Sequence, residues 1–279
     1  MRKIINEKII ENIKAIAFDF DGTIYNETTF MPNMLATLNS LHDKGYKLYI
    51  VTGRNLRSFI QLNLPQNILE LFNCVICNDG NTCIYPSTGV INIFAKLEVN
   101  DFKEVYRNNK AFADFVIEEN CHLYADNEIS RTKYSKYSNI KSEYIKVTDI
   151  SSQEFNSITQ IFVFPKQEVD IKTLYTIKYN NALKFDYKGE FIKIIPKETS
   201  KAKGLEKVIR NENLSLDKVL AFGDHVTDIP LLSECLLGVA VKNCHQDIIN
   251  YSNLHLDIEI SDFLKIFLNK ISQKREYFL

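Results

Sequence analysis

Five short apolar runs alternate with helix-like stretches near both ends of the chain. The runs are residues 13–20, 46–52, 74–78, 218–223 and 237–241. Nearly continuous apolar runs of this length are typical of parallel strands that helices cover on both faces. Helix patterns occur at 32–44, at 200–212 with Ser200 as a candidate N-cap, and at 261–272. We therefore predict an α/β fold built on a doubly wound, Rossmann-like parallel sheet.

The middle third of the chain has a different pattern. From about residue 84 to 190 it is richer in Tyr, Asn and Lys, and its apolar residues often alternate with polar ones. One helix-like stretch, 100–113, mixes with strand-like stretches at 159–164, 183–187 and 190–195. This mixture predicts an α+β domain inserted into the first domain. The predicted boundaries are 1–83 and 191–279 for the α/β domain, and 84–190 for the insert.

The composition excludes several classes of protein. Hydrophobic residues make up 45% of the 279 and charged residues 25%, which is the range of folded globular domains. The 34 basic and 35 acidic residues leave a formal net charge of −1, so the chain lacks the positive excess that general nucleic-acid or membrane-surface binding requires. No apolar run approaches the roughly 18 residues of a membrane span. We predict no nucleic-acid or membrane partner, and a monomer or homodimer.

Cysteine usage bears on the cellular compartment. Six cysteines in a chain without a secretory signal predict reduced thiols and a cytoplasmic location. Cys74 and Cys77 have a spacing found in zinc sites, but no second pair of Cys or His exists to complete four ligands. We interpret them as buried thiols.

Residues 131–147 interleave five basic residues with three tyrosines. Such interleaving occurs in proteins that bind single-stranded nucleic acid. Charge runs, however, more often form a solvated surface. We favour an exposed face of the insert and leave open a contact with an anionic substrate.

Two carboxylates end the first predicted strand. Asp19 and Asp21 are two residues apart, so both leave the strand on one side, about 6.6 Å apart at ~3.3 Å per residue. They enter the crevice at the carboxyl edge of the sheet, where open α/β sheets bind ligands. Two carboxylates buried there require a cation or a proton to compensate their negative charge. Gly22 permits an unusual turn, in which its N–H and that of Thr23 can reach an anion.

Two simpler explanations of this Asp-x-Asp-Gly motif are a calcium-binding loop and a pair of turn-forming Asp residues. A calcium-binding loop would need a Glu at its twelfth position, where Phe30 stands. A pair of turn-forming Asp residues remains open on this motif alone.

Other polar residues follow elements that this fold brings to the same edge. They are Thr52, Gly53 and Arg54 after the second strand, Asp224 and Asp228 after the fourth, and Lys201 at the start of the helix 200–212. The carboxylates suit a hard divalent cation, and the hydroxyl, ammonium, guanidinium and helix N–H groups suit a phosphate. Four separate segments therefore predict one site for a metal ion and a phosphoryl group.

In chain order, the motifs DFDGT, TGR, a Lys near a helix start and GDxxxD resemble the four motifs of the haloacid dehalogenase superfamily. The insert lies between the second and third motifs, which resembles the Cof-type subclass (subclass IIB). This resemblance covers nearly the whole chain. It implies a phosphatase with the strand order 3-2-1-4-5 and a mobile cap formed by the insert.

The resemblance also implies a role for each motif residue. Asp19 would attack phosphorus and form an aspartyl-phosphate, while Asp21 would act as acid and then base. Mg²⁺ would be held by Asp19, the backbone carbonyl of Asp21 and Asp224, with Asp228 supporting the site. The predicted phosphate contacts are Thr52, Lys201, Gly22, Gly53 and Arg54, and a structural ion pair remains the alternative for Arg54.

Three positions depart from the family pattern. Thr227 stands where Asn is usual, and Asn78-Asp79-Gly80 replaces a simple Asn-Gly. Ala202 follows Lys201 in place of Gly, and Lys203 is a second candidate for the phosphate contact. None of these changes removes the predicted nucleophile, the acid/base residue or a metal ligand.

The implied function is Mg²⁺-dependent hydrolysis of small phosphorylated metabolites, either sugar phosphates or phosphorylated cofactors. Asp21 favours a hydrolase, because transporting ATPases of the superfamily carry Thr at that position and keep their phosphoenzyme. A phosphomutase or phosphotransferase would use the same residues, and a non-catalytic sensor of phosphorylated metabolites would keep the site for binding. His225, inside the fourth motif, is interpreted as a loop residue beside the site.

Overall fold

The computed structural model describes residues 7–26, 28–187 and 189–275 and divides into two compact units. The first, here called the core unit, comprises the described residues of Met1–Gly53, Leu64–Asn92 and Ser200–Leu279. The second, called the insert unit, comprises those of Arg54–Asn63 and Ile93–Thr199.

The core unit is organised around a mainly parallel sheet. Among the described residues its eight strands run in the order Leu254–His255, Leu237–Ala240, Val219–Gly223, Ala15–Phe18, Lys47–Val51, Cys74–Cys77, Thr82–Ile84 and Ile91–Ile93. The five predicted strands are parallel neighbours in the order 3-2-1-4-5, as predicted. Phe18 pairs with Ile50 on one side and Phe222 on the other, so the central strands end at one level.

Helices of the core unit cover this sheet. They are Glu7–Asn12, Met34–Asp43, Gln66–Leu69, Lys201–Arg210, Ile229–Glu234 and Ile260–Arg275, with 3₁₀ turns at Asn78–Gly80, Leu216–Lys218, Val226–Asp228 and Gln246–Tyr251. The three helices predicted from the sequence are present within a few residues of their expected bounds. Ser200 is an N-cap as predicted, because its Oγ accepts a hydrogen bond from the Lys203 N–H at 3.2 Å. A short hairpin joins Tyr25–Asn26 to Thr29–Phe30.

The insert unit is of the α+β type, as predicted. Its six-stranded sheet has the order Ile145–Val147, His122–Ala125, Ala113–Glu119, Ile158–Pro165, Phe191–Pro196 and Ala182–Tyr187. Its helices are Leu56–Ile60, Val99–Asn109, Glu128–Ser138 and Lys172–Tyr175, with a 3₁₀ turn at Ser142–Tyr144. Most of its strand pairs are antiparallel.

The predicted domain boundaries need correction at both ends of the insert. Phe191–Pro196 was assigned to the α/β domain, but it pairs antiparallel with Ile158–Pro165 and with Ala182–Tyr187. It is buried along its whole length, so its apolar pattern does not distinguish it from a strand of the core sheet. Residues 84–92 belong to the core unit, and residues 54–63 belong to the insert unit.

Both faces of the insert sheet are packed. One face carries an apolar cluster that includes Phe102, Phe115 and Ile161, and the other carries one built around Tyr134 and Phe162. Fully burying a side chain of this size contributes about 1.5–3 kcal/mol. Tyr134 is 1% exposed, so the prediction that residues 131–147 form only a solvated face is wrong at this position.

Cys74 and Cys77 are buried, and all six cysteines are free thiols, as predicted. Among the described residues, no helix is both long and apolar enough to cross a bilayer.

Candidate active site

The candidate site lies at the carboxyl ends of the central strands of the core sheet. Asp19 directly follows the strand Ala15–Phe18, and its N–H donates to the carbonyl of Phe222 at 2.9 Å. Thr52 directly follows Lys47–Val51, and its N–H donates to the carbonyl of Ile76 at 2.8 Å. These bonds continue the strand pairing by one residue, so the polar side chains begin where the apolar strands end.

Three carboxylates meet at this edge, as predicted. Asp19, Asp224 and Asp228 each offer an oxygen, and these oxygens lie within 4.8 Å of one another. The ammonium of Lys201 lies 2.5 Å from Asp19 Oδ1 and 2.5 Å from Asp228 Oδ1. Asp19, Lys201 and Asp228 are each at most 4% exposed. A buried lysine thus bridges two of the three acids.

Asp228 is fixed by several bonds at once. Its Oδ2 accepts hydrogen bonds from the N–H groups of Asp224 at 3.0 Å and His225 at 2.9 Å, while its Oδ1 accepts from Lys201. Oδ2 therefore holds the loop after the strand Val219–Gly223, and Oδ1 binds the lysine. The predicted role of Asp228 in supporting a metal ion stays a prediction.

Lys201 is positioned by a close backbone contact below the site. A Cβ on Gly80 would lie 2.0 Å from the carbonyl oxygen of Ser200, and one on Gly204 would lie 2.4 Å from Cα of Gly80. Only glycine permits this approach of the helix Lys201–Arg210 to the turn Asn78–Gly80. All three residues of that turn have positive φ, at 55°, 53° and 102°. The turn Asn78–Gly80, which departs from the family pattern, therefore packs directly against the start of the helix that carries Lys201.

The charges at the site are unbalanced. Burial and the neighbouring Asp228 raise the pKa of Asp19 well above its ordinary value, and Lys201 only partly opposes them. Burial and Asp228 likewise raise the pKa of Asp224. Although burial alone would lower it, the pKa of Lys201 is raised by Asp19 and Asp228, so this lysine is a cation at neutral pH. With all three acids ionised, two negative charges remain in a water-poor site.

These residues fit a divalent cation. Carboxylate oxygens are the ligands that Mg²⁺ prefers. A dication would also balance the two negative charges of the acids that Lys201 does not neutralise. Asp19 and Asp224 would hold it, with Asp228 beside them. A ligand role for the backbone carbonyl of Asp21 stays a prediction.

Mg²⁺ is expected to raise the unfolding temperature of the protein, because it binds the gathered carboxylates and not the unfolded chain. At a hundred times its dissociation constant it would add about 2.7 kcal/mol. We expect Asp224→Asn to lose most of this shift, and Asp43→Asn, at an exposed acid, to keep it. Thermal unfolding with Mg²⁺ and with EDTA measures both. An unfolding temperature indifferent to Mg²⁺ in the unmodified protein would rule out the metal site.

Gly22 adopts the unusual turn that the sequence predicted, with φ of 79°. A Cβ there would lie 2.4 Å from Asp224 Oδ2, so the turn and the acid are in close contact. The predicted anion contact through its N–H is wrong for this structure, because that N–H already donates to the carbonyl of Tyr25 at 2.9 Å. The N–H of Thr23 points to the carbonyl of Phe20 at 3.4 Å.

The remaining predicted residues are placed as follows. Asp21 is half-buried directly after Asp19 and Phe20, and Thr52 is buried. A Cβ on Gly53 would lie 2.9 Å from Asp79 Oδ1, so the second motif meets the turn Asn78–Gly80. Arg54 is the first residue of the insert unit. His225 is exposed, as expected of a loop residue, with its ring centroid 5.9 Å from that of His245.

The sequence model of one protein family, the haloacid dehalogenase-like hydrolases, matches residues 16–258. This stretch contains the whole acidic cluster and Lys201. The chain belongs to this family. The motif-based prediction of the family and of a hydrolase is thereby confirmed.

Two curated relatives of this haloacid dehalogenase-like hydrolase are named as phosphatases. A 5-amino-6-(5-phospho-D-ribitylamino)uracil phosphatase of Bacillus subtilis is 24% identical over 241 residues, which are 82% of this chain and 86% of the relative. A pyridoxal phosphate phosphatase of Escherichia coli is 21% identical over 267 residues, which are 91% of this chain and 97% of the relative.

Solved structures share the fold of this haloacid dehalogenase-like hydrolase. One from Bacteroides thetaiotaomicron, described as a haloacid dehalogenase-like hydrolase, has a TM-score of 0.74 at 16% identity and covers 91% of this chain and 98% of its own. The sugar phosphatase BT4131, of subclass IIB, has a TM-score of 0.71 at 20% identity, covering 91% and 98%. Both confirm the predicted Rossmann-like fold with its inserted cap-type domain.

Two contacts of this haloacid dehalogenase-like site were not predicted from the sequence. Lys201 binds Asp228 as well as Asp19, and the N–H of His245 donates to the carbonyl of Asp224 at 2.7 Å. Each contact joins segments that are distant in sequence or lie outside the motifs, so no spacing indicates it. Gly204 offered a weak signal, since a glycine inside a helix pattern often marks a close approach.

Proposed function

We propose that the protein is a Mg²⁺-dependent phosphatase that hydrolyses small phosphorylated metabolites through an aspartyl-phosphate on Asp19. The observation that carries this proposal is the buried group of Asp19, Lys201 and Asp228, with Asp224 beside it. A buried carboxylate next to a fixed ammonium and two further acids serves no evident packing purpose. It suits an anionic substrate held with a metal ion.

The reaction would proceed in two steps at Asp19. A carboxylate oxygen of Asp19 attacks phosphorus, the bond from phosphorus to the leaving oxygen breaks, and Asp21 gives that oxygen its proton. Asp21 then takes a proton from a water molecule, which attacks the aspartyl-phosphate, releases inorganic phosphate and regenerates the carboxylate. Lys201 and Thr52 would hold the phosphoryl oxygens throughout. When bound, Mg²⁺ would supply positive charge that offsets the charge on the transferring group.

We place the substrate among sugar phosphates and phosphorylated cofactors. The curated relatives carry names of phosphatases for a ribitylamino-uracil phosphate and for pyridoxal phosphate, which supports a small phosphomonoester. The insert unit would act as the cap that excludes water and recognises the leaving group. Free cysteines throughout support a cytoplasmic location.

A panel of phosphorylated metabolites, assayed for phosphate release with Mg²⁺ and with EDTA, tests the proposal. We expect steady release from several substrates that EDTA abolishes. In Asp21→Asn we expect kcat to fall about 10²- to 10⁴-fold, because proton transfer is lost from both steps. Isomer exchange without phosphate release would instead indicate a mutase or phosphotransferase. No turnover of any substrate would leave the non-catalytic sensor.

A further inference from the structure

Two histidines of the core unit lie close together at the carboxyl edge of its sheet. His225 belongs to the loop after the strand Val219–Gly223, and His245 to the loop after the strand Leu237–Ala240. These strands are parallel neighbours, so their loops leave the sheet side by side. Both histidine side chains are exposed, and their ring centroids lie 5.9 Å apart. Neither imidazole has a part in the phosphatase mechanism proposed above.

The backbone of each histidine is held in place. The N–H of His225 donates to Oδ2 of the buried Asp228 at 2.9 Å, and the N–H of His245 donates to the carbonyl of Asp224 at 2.7 Å. The turn that follows His245 is anchored by Ile248, which is fully buried. Because both backbones are fixed, the two imidazoles need only side-chain rotation to bind one ligand between them.

One ring nitrogen of His245 is in contact with Asp247. The N–H of Asp247 donates to Nδ1 of His245 at 3.3 Å, and the carboxylate Oδ2 of Asp247 lies 3.6 Å from the same nitrogen. Both contacts are with Nδ1, which makes Nε2 the candidate ligand atom. A histidine that binds a metal usually has a carboxylate or carbonyl at its other nitrogen, which orients the ring and raises its basicity. The contact with Asp247 is therefore typical of a metal ligand.

The spacing of the two rings fits one shared metal ion. An imidazole nitrogen lies about 2.0–2.1 Å from Zn²⁺, so two rings on one ion have centroids roughly 5–6 Å apart. The distance of 5.9 Å between the rings of His225 and His245 is in this range. Imidazole suits Zn²⁺, whereas Mg²⁺ prefers oxygen ligands. The pair therefore prefers a different ion from the neighbouring carboxylates.

We propose that His225 and His245 form a second metal site, which binds Zn²⁺ beside the carboxylate cluster. The two imidazoles supply the protein ligands, water completes the coordination, and Asp247 positions His245. Among the described residues, three ligand atoms of His, Cys, Asp or Glu come within 4.8 Å of one another only in the acidic cluster. The histidine site thus has two protein ligands and suits reversible binding.

Zn²⁺ at this site would inhibit the phosphatase, a consequence that rests on the function proposed above. His225 directly follows Asp224, so the charge of the ion would oppose the binding of Mg²⁺ by that carboxylate. The ion would also join His245 to the loop that carries Asp224 and Asp228. The binding of Zn²⁺ itself does not depend on the enzymatic activity.

Calorimetric titration with Zn²⁺, in excess Mg²⁺ that occupies the carboxylates, tests the site. We expect His225→Gln and His245→Gln each to weaken one Zn²⁺ site at least about tenfold, because losing a ligand costs no less than losing the residue that orients it. Asp247→Asn should weaken it about tenfold. His42→Gln is the matched control, since the exposed His42 has a similar contact with Asp43, at 3.8 Å, and should leave Zn²⁺ binding unchanged.

Two results of the titration would overturn the proposal. One is a Zn²⁺ affinity that neither histidine substitution changes. The other is an equal loss in His42→Gln, which would show that Zn²⁺ binds exposed histidines without preference. The effect of Mg²⁺ on the unfolding temperature should also stay the same in His225→Gln and His245→Gln. If it disappeared, the histidines would act by shaping the carboxylate cluster and would not form a separate site.

Inhibition by Zn²⁺ is measured separately, with p-nitrophenyl phosphate as the substrate. The Zn²⁺ concentration that halves the rate should be at least about tenfold higher for His245→Gln than for the unmodified protein, in proportion to the affinity, and unchanged for His42→Gln. Zn²⁺ binding that depends on the histidines, in a protein that hydrolyses no substrate, would refute the phosphatase function and keep the site. An active enzyme whose inhibition ignores the histidines would overturn the inhibitory role.

Discussion

Replacing Asp19 by Asn is expected to abolish turnover, with kcat falling about 10⁴-fold or more. The amide is nearly the same size as the carboxylate but has no anionic oxygen to attack phosphorus, and losing a nucleophile costs at least this much in comparable enzymes. Steady-state phosphate release on the best substrate of the panel measures it. A variant that retains a tenth of the activity would show that Asp19 is not the nucleophile.

The same change should stabilise the metal-free protein. The raised pKa of Asp19 means that the folded state disfavours its charge, chiefly because of burial and Asp228. Its contribution to stability is present below the ordinary value of 3.8 and is lost as the pH rises through the raised value. Near neutral pH, Asn avoids this penalty. We therefore expect a higher unfolding temperature for Asp19→Asn than for the unmodified protein in EDTA, and no such gain for Asp43→Asn. A lower unfolding temperature for Asp19→Asn would mean that the ion pair between Asp19 and Lys201 stabilises the fold more than burial and the repulsion from Asp228 destabilise it.

Replacing Lys201 by Met is expected to have the largest effect on stability. The methionine has a similar length but no charge, so Asp19 and Asp228 would remain buried within the cluster without their shared cation. Removing one partner of a buried ion pair costs about 3–5 kcal/mol. Activity should fall about 10²- to 10³-fold as well, since a donor to the phosphoryl group is lost. Chemical denaturation in EDTA and kcat/KM measure the two effects separately.

Lys203→Met is the matched control for Lys201→Met. It lies two residues further along the same helix and was the second candidate for the phosphate contact. We expect it to change stability by about 1 kcal/mol or less. If Lys203→Met were the more damaging of the two, the assignment of the phosphate-binding lysine would pass to Lys203. Added Mg²⁺ should restore part of the stability of Lys201→Met, because a dication also neutralises the carboxylates.

The edge residues illustrate what could be predicted in advance. Asp19, Thr52 and Asp224 each follow a predicted strand, and parallel strands end at a common edge, so their proximity followed from the strand assignments alone. The helix at Lys201 was similarly predictable from its Ser200 cap. These features depend on local pattern and on the geometry shared by all doubly wound sheets.

The assignment of strands to sheets was less predictable. Phe191–Pro196 is buried along its whole length like Val219–Gly223, yet one pairs in the insert sheet and the other in the core sheet. A strand that is buried on both faces has the same hydrophobic pattern in either sheet. Only the strands with which it pairs decide to which sheet it belongs. The role of the Gly22 N–H was also not predictable from the sequence. It was predicted to bind an anion, but within the turn it donates a hydrogen bond to the carbonyl of Tyr25.

The sequence by itself determined the alternation of strands and helices and the acids that end the strands, because these follow from hydrophobic periodicity and from motifs at strand ends. The resemblance of those motifs to a known family supplied the sheet order. Only the tertiary structure decided that Lys201 bridges Asp19 and Asp228, and that Gly80 and Gly204 let its helix approach the turn Asn78–Gly80. These contacts join residues far apart in the chain. Their energies depend on burial and on atomic distance, and neither quantity is contained in the spacing of residues along a sequence.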